Sequence, residues 1–326
     1  MTGPIVPAES SGLAALSGSG VGRPGGTIAV VGSAKLDLVI RQERLPRPGE
    51  TVLGRTFDRV PGGKGLNQAV AAARAGGRVA FLGRVGDDAE GRQLAQTLRP
   101  ESVDTHRLIT DPTRGTGIAQ VSVLDGGENA IVVAAGANAS SDWSPDDEAL
   151  LTTAAAVVAQ LERPVPLVRR AFEAARALGV FTVLTPAPVS ADALALLPLV
   201  DLLLLNEHEA RALAAQEDPL AAARSLSPGR IVILTRGSAS TLVAHEGALV
   251  HDEPARPAAA VDTTGAGDCF AGTLVARLAS GDSFKAAIGA ATVAASLSVA
   301  RPGAAASMPT WVEIEANLGG NEAFTG

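Results

Sequence analysis

The stretch Ala260–Ser280, AVDTTGAGDCFAGTLVARLAS, is the one whose reading decides the fold. An apolar pair leads into Asp262, two threonines and the glycines Gly265 and Gly267; Asp268 then opens a helix-like run carrying Phe270, Leu274, Val275 and Leu278. Glycines let a backbone approach a ligand closely and adopt conformations closed to other residues. The free N–H groups at the start of the following helix, together with its dipole, form an anion site. Asp268 then has two readings. It is well suited to stabilise a helix start. It is equally placed to accept the proton of an attacking hydroxyl, while the amides of Gly265, Ala266 and Gly267 hold a phosphoryl group and offset its developing charge.

Outward from this loop, strands and helices alternate from Thr27 onward. TIAVVG (27–32), VAFLGRVG (79–86), AAAVVAQLE (154–162), FTVLTPAP (181–188), DLLLLN (201–206) and IVILTRG (231–237) read as apolar strands. Helical runs such as VPLVRRAFEAARALG (165–179) separate them. That pattern predicts a doubly wound, mostly parallel sheet covered on both faces, a three-layer α/β/α architecture. Ligands of such sheets bind outside the carboxyl ends of the strands, where the TTGAGD loop belongs. Two segments break the pattern. LDLVIRQERLPRPGETVLGRTFDRVPGG (36–63) and GTGIAQVSVLDGGENAIVVAAGAN (115–138) carry short alternating strands with turn residues. They read as antiparallel ribbons that pair into a small β-sheet lid, with strands at about 36–61 and 115–135.

The first 26 residues are rich in Gly, Ser and Pro and are expected to be a disordered extension to one domain over 27–326. Gly20, Gly22 and Gly25 spell a dinucleotide fingerprint there, but a strand follows it rather than a helix, and Pro24 interrupts it. A net charge of −7 without clustered Lys and Arg argues against nucleic-acid binding. Cys269 is the single cysteine, so no intrachain disulfide forms, and a reducing cytoplasmic location fits. No secretory signal is expected, and AAIGAATVAASLSVA (286–300) is too short to span a bilayer and reads as a buried helix.

The run VDTTGAGDCFAGTL (261–274) resembles the second signature of the PfkB-type sugar kinases, and PGGKGLNQAVAAARAG (61–76) resembles the first. GSAKLD (32–37), TGIAQV (116–121), AGAN (135–138), AQLE (159–162), PAP (186–188), NEHE (206–209) and TRG (235–237) follow that family's order and spacing. AGAN and AQLE make the chain similar to the ribokinase-like members above all. The resemblance implies a ribokinase-like fold and ATP-dependent transfer of the γ-phosphate to the primary hydroxyl of a sugar, D-ribose first, giving ribose 5-phosphate. It makes Asp268 the general base, with Lys35, Asp37, Gly63, Lys64, Asn67 and Glu162 around the sugar. Asn206, Thr235, Gly237, Ser238, Gly267 and Thr292 fall on the nucleotide side. Asn206 and Glu209 would organise Mg²⁺ and its waters. Asp262, Thr264, Ser298, Arg301, Gly303 and Ser307 would hold a monovalent cation, K⁺, largely through carbonyls. The resemblance and the exposed ribbon edges also imply a homodimer formed through the lid strands.

Plainer readings stand beside these. Asp37 could cap a turn, and Asn67 could be a surface polar residue on an Ala-rich helix. Asn206 and Glu209 have the spacing of a capping box. Thr292 could be a core residue, and the cation loop an ordinary packed loop. The chain departs from the family at Lys35, where Asn is usual. An ammonium only donates, so Lys35 points away, pairs with Asp37 or Glu162, or meets an anionic substrate group. It departs again at Ser240, which replaces the last glycine of the nucleotide-side turn. Kinases for fructose, for phosphorylated or acidic sugars, or for nucleosides are the competing activities, and a non-catalytic sugar sensor is the competing class. With no Tyr, 7 Phe and 2 Trp, the chain has little with which to stack a nucleobase.

Overall fold

Residues 24–126 and 128–319 are described by the structure, a computed structural model. The expected extension 1–26 lies outside them except for Pro24–Gly26, and of the three N-terminal glycines only Gly25 is described. Its N–H donates to the Ala279 carbonyl at 2.9 Å, which ties the start of the described chain to the main body.

The strand β1 (Thr27–Val31) sets the layering. Ile28 and Val30 join one buried cluster and Ala29 and Val31 the other, as expected when successive side chains point to opposite faces of a fully covered strand. Parallel strands β4 (Val79–Gly86) and β5 (Leu108–Asp111) lie on one side of β1. On the other side come β8 (Ala154–Gln160), β9 (Phe181–Thr185), β10 (Leu202–Asn206) and β11 (Ile231–Thr235). A hairpin, β12 (Thr241–His245) and β13 (Ala248–Glu253), completes nine strands and runs antiparallel. The alternation of strand and helix does not forecast this hairpin, because no helix separates β11 from β12.

One face is covered by α1 (Lys64–Arg74), α2 (Ala89–Leu98), α7 (Ala266–Ala279), α8 (Phe284–Val299) and α9 (Trp311–Leu318). The other carries α3 (Pro145–Leu151), α4 (Val165–Ala177), a 3₁₀ segment at Ala191–Leu199, α5 (Glu207–Ala214) and α6 (Pro219–Leu226). The predicted Ala-rich helix is α8, whose small side chains pack closely along α7. No helix among the described residues is long and apolar enough to cross a membrane.

The two ribbons form a separate four-stranded sheet in the order β3 (Thr56–Gly62), β2 (Lys35–Gln42), β6 (Gly117–Leu124), β7 (Asn129–Ala134). Each ribbon is antiparallel, as read from the sequence, but they join through a parallel pairing of β2 with β6. The small sheet grows directly out of the end of β1, so its first residues stand beside the carboxyl ends of the large sheet.

Candidate active site

Two helices converge on the carboxyl edge of the sheet because small residues let them. A Cβ on Gly65 of α1 would lie 2.5 Å from the Gly32 Cα, and one on Gly272 of α7 would lie 2.4 Å from the Gln68 carbonyl oxygen. No real Cβ tolerates such distances, so hydrogen at both positions is what allows α1 to sit on the β1 turn and α7 on α1. The approach puts the first turn of α1 against the first turn of α7. Asn67 and Gln68 therefore meet Asp268 across the seam.

Asp268 is 8% exposed. Its Oδ2 accepts from the Asn67 amide at 3.0 Å and its Oδ1 from the Gln68 amide at 2.9 Å. Burial pushes its pKa up, and the nearby Lys64 ammonium and the two amide donors oppose that rise. Lys64 is held charged in turn, chiefly by the field of Asp268. Gly265 precedes the helix with φ 76°, a left-handed conformation open to glycine at no steric cost. In the first turn that follows, the amides of Gly267 and Asp268 have no partner within the helix. A Cβ at Gly267 would meet nothing within 4 Å, so the backbone there faces open space. The arrangement is a helix start open to a ligand, with a buried carboxylate at its inner edge.

Three more candidate residues share one ionic cluster. The Lys35 ammonium lies 3.3 Å from Asp37 and 3.6 Å from Glu162, so of the options open to it the pairing with both carboxylates is the one found. Glu162 also accepts from the Ser33 hydroxyl at 2.5 Å and from the Lys64 backbone N–H at 2.9 Å, which makes it a charged cap on the start of α1. Gly63 precedes that helix with φ 100°. The two carboxylates diverge accordingly. Burial raises both, but at Glu162 the Lys35 charge and the added donors outweigh it and the pKa falls. Asp37, with Lys35 alone, is left raised.

Of the residues expected on the nucleotide side, Asn206, Thr235, Gly237 and Ser238 stand at or just after the ends of β10 and β11. Asn206 accepts from the Glu209 N–H and Glu209 from the Asn206 N–H, both at 2.9 Å, so the capping box is real. That pairing leaves Glu209 Oε1 without a capping role at a partly exposed position. Thr235 ends β11, and Gly237 (φ 57°) and Ser238 form the exposed turn after it. Ser240 accepts from Arg236 through its carbonyl at 2.9 Å and binds the same guanidinium through its hydroxyl. The serine in place of glycine thus fixes an arginine across the turn. Thr292 is buried in α8, and its hydroxyl has no partner among the described residues.

Asp262 joins the two segments of the expected cation loop. Its carboxylate accepts from Thr264 N–H and Gly303 N–H, each at 2.9 Å. Burial alone would raise its pKa, but these bonds bring it below the ordinary value. The Ser298 and Ser307 hydroxyls donate to Ala295 and Ala304 carbonyls, and Arg301 pairs with Glu313 at 2.6 Å. No group of three or more His, Cys, Asp and Glu side chains suited to a metal occurs among the described residues.

Several residues of this site carry no signature of their own in the sequence. Gln160 and Thr185 end otherwise apolar strands, and both are buried with their polar atoms turned to Gln68. Asn138, of AGAN, bonds both backbone groups of Ala34 and so fixes the loop before Lys35. The available signal was a polar residue closing an apolar strand at its carboxyl end.

A doubly wound sheet with a buried carboxylate beside an open helix start suits a small-molecule kinase. The chain belongs to the pfkB family of carbohydrate kinases, which it matches over residues 26–311. It is 36% identical to ribokinase of Haemophilus influenzae over 295 residues, covering 87% of this chain and 95% of that one. With ribokinase of Bacillus subtilis the identity is 37% over 298 residues, 88% of this chain and 98% of the other. Among solved structures, Arabidopsis thaliana ribokinase complexed with ribose and ATP superposes with a TM-score of 0.83 at 30% identity, covering 91% of this chain and 99% of that one. Cryptococcus neoformans ribokinase in complex with ADP does so with 0.80 at 31% identity, over 90% and 99%.

Proposed function

We propose that this protein transfers the γ-phosphate of ATP to the primary hydroxyl of D-ribose, with Asp268 as general base. The observation that carries the reading is Asp268 itself: buried, held by two amides, and next to first-turn backbone that faces open space. The carboxylate takes the hydroxyl proton as the new O–P bond forms and the γ-phosphorus parts from the β,γ-bridging oxygen, which leaves with ADP; the first-turn amides bear the charge of the moving phosphoryl group. The relatives and solved structures named ribokinase support ribose as the acceptor and ATP as the donor.

Charge around the acceptor favours a neutral sugar. Lys35 and Lys64 face Asp37, Glu162 and Asp268, two cations against three carboxylates. The charge of Lys35 is already balanced by two acids, which disfavours a phosphorylated or acidic sugar beside them. With the relatives named ribokinase, this predicts that ADP release in a coupled assay depends on ribose more strongly than on fructose, deoxyribose, a phosphorylated ketose or a nucleoside. A preference for the phosphorylated ketose would overturn the assignment.

Glu209, with one carboxylate oxygen outside the capping box, and the neighbouring Asn206 fit Mg²⁺, which keeps several waters and needs few protein ligands. When bound, Mg²⁺ would neutralise charge on the nucleotide phosphates. Asp262 fits a role in K⁺ binding as the tie that sets the carbonyls of the two loops, each of its oxygens accepting one backbone N–H. Omitting Mg²⁺ should abolish turnover and omitting K⁺ should lower it; indifference to either would remove that ion from the account.

The four-stranded sheet is proposed to close over the sugar and exclude water as a competing acceptor. Its edge strand β7 exposes Ile131, Val132 and Val133, and Phe57 on β3 is exposed as well. Apolar edge strands of this kind are best buried against a second copy. Light scattering after size exclusion should give a dimer, and a monomer at micromolar concentration would contradict it. The buried thiol of Cys269, pushed up to about 12 mainly by burial, is consistent with a cytoplasmic enzyme that needs no disulfide.

A further inference from the structure

Gln68 is a helix residue that is 1% exposed, yet it spends none of its side chain on the backbone around it. Its amide nitrogen donates to Asp268 Oδ1 at 2.9 Å and to the Thr185 hydroxyl at 3.0 Å. Its carbonyl oxygen accepts from the Gln160 amide at 2.6 Å. Thr185 closes β9 and Gln160 closes β8, so the amide is clamped between two strand ends and the carboxylate. Gln160 is fully buried, and a side chain on Gly32 would run into its Oε1, with an added Cβ only 2.7 Å away.

An amide has two ends of opposite character, and only one of them helps a carboxylate. Rotating the Gln68 amide by half a turn would set its oxygen against Asp268 Oδ1 and its nitrogen against the Gln160 nitrogen. Both contacts would be repulsive. Gln160, in the orientation found, therefore supports the arrangement in which Gln68 donates, and its own Oε1 is left without a partner among the described residues. We infer that Gln68, oriented by Gln160 and Thr185, is a positioning residue that aims the Asp268 carboxylate and keeps it in its proton-accepting form. The inference rests on Asp268 being the base, and it adds a buried relay reaching from two strand ends to that group. Asn67 restrains the other oxygen, so the carboxylate plane is fixed from both sides.

The direction of the pH effect follows from the chemistry. Hydrogen bonds to the charged form lower a carboxyl pKa, and burial raises it. Removing the Gln68 donor leaves burial less opposed, so Asp268 protonates at a higher pH and is lost as a base sooner as pH falls. The acid limb of kcat/KM should move upward by about one pH unit, since a hydrogen bond to a charged group is of that order. Because the donor acts on the base and not on sugar binding, kcat should fall about 10- to 100-fold with the ribose KM within about threefold.

The test is the pH profile of ATP-dependent ribose phosphorylation for the full chain and four variants. Gln68→Met removes the donor. Gln160→Leu frees the amide to rotate, and Gln160→Glu offers it an acceptor that draws the nitrogen away from Asp268. The order of damage expected is Gln160→Glu greater than Gln160→Leu, with Gln68→Met shifting the acid limb most clearly. Circular dichroism melts identify folded variants, and the two Gln160 changes carry the test if Gln68→Met does not fold. An unmoved acid limb in the folded variants, with Gln160→Glu no worse than Gln160→Leu, overturns the relay. Asp268→Asn is the fourth variant: if it keeps near-normal turnover, the base assignment falls, whereas its inactivity beside unshifted glutamine variants removes the relay alone.

Discussion

Lys35 shows what a single departure from a family pattern does once its neighbours are known. It lies between Asp37 and Glu162 and its side chain is only 14% exposed, so it neutralises a pair of acids that would otherwise repel across the pocket proposed for the sugar. Lys35→Met keeps the length and removes the charge. Asp37, already raised by burial, loses its one cationic partner and drifts further toward the protonated form. The ribose KM should rise about tenfold with kcat changed less than about threefold, because ground-state and transition-state contacts to the sugar weaken together. An unchanged KM would place Lys35 outside the sugar's reach. That Lys35 pairs was one of several options the sequence allowed, and choosing among them needed the position of Glu162, which lies 127 residues away in the chain. Asp268 was legible from its neighbours Gly265 and Gly267. Gln68 and Gln160 were not, because a glutamine in an Ala-rich helix or at a strand end looks like any other polar residue until the seam between α1 and α7 is built.

At the scale of elements, two glycines separate stability from activity. Gly65 sits where α1 crosses the β1 turn, and an added methyl would run into backbone at 2.5 Å. Backbone cannot yield as a side-chain end can, so Gly65→Ala should lower stability by about 1–3 kcal/mol or more. Gly267 is different. It is the second residue of α7, with open space beside it, so Gly267→Ala fits the fold and gains up to about 1 kcal/mol of helix preference. Its methyl, however, enters the cradle proposed for the phosphoryl group, and kcat should fall about 10- to 1000-fold, the range set by losing one oxyanion donor. Thermal melts and turnover of the two variants check this crossing pattern; a destabilised but active Gly267→Ala would contradict it. The element scale also shows why plain and functional readings need not compete. Asn206 and Glu209 do form a capping box, and the cap is what presents a free carboxylate oxygen at the end of β10.

For the molecule as a whole, layering was the most legible feature. Strands with buried residues on both faces, separated by helices, leave few arrangements other than a covered parallel sheet. The hairpin β12–β13 escaped that logic because it follows β11 directly, and an antiparallel edge requires no crossover helix. The parallel joining of β2 to β6 also escaped, since strands that distant in sequence carry no local mark of their pairing. What unites the two sheets is the site: the small one begins where β1 ends, and α1 and α7 close the gap between them around Asp268. The most direct test of this account is kcat/KM for ribose with Asp268→Asn, an isosteric change that removes the proton acceptor and keeps the shape. The account predicts a loss of about 10²- to 10⁴-fold in kcat/KM for the folded variant. Turnover within a few-fold of the unsubstituted enzyme would contradict it.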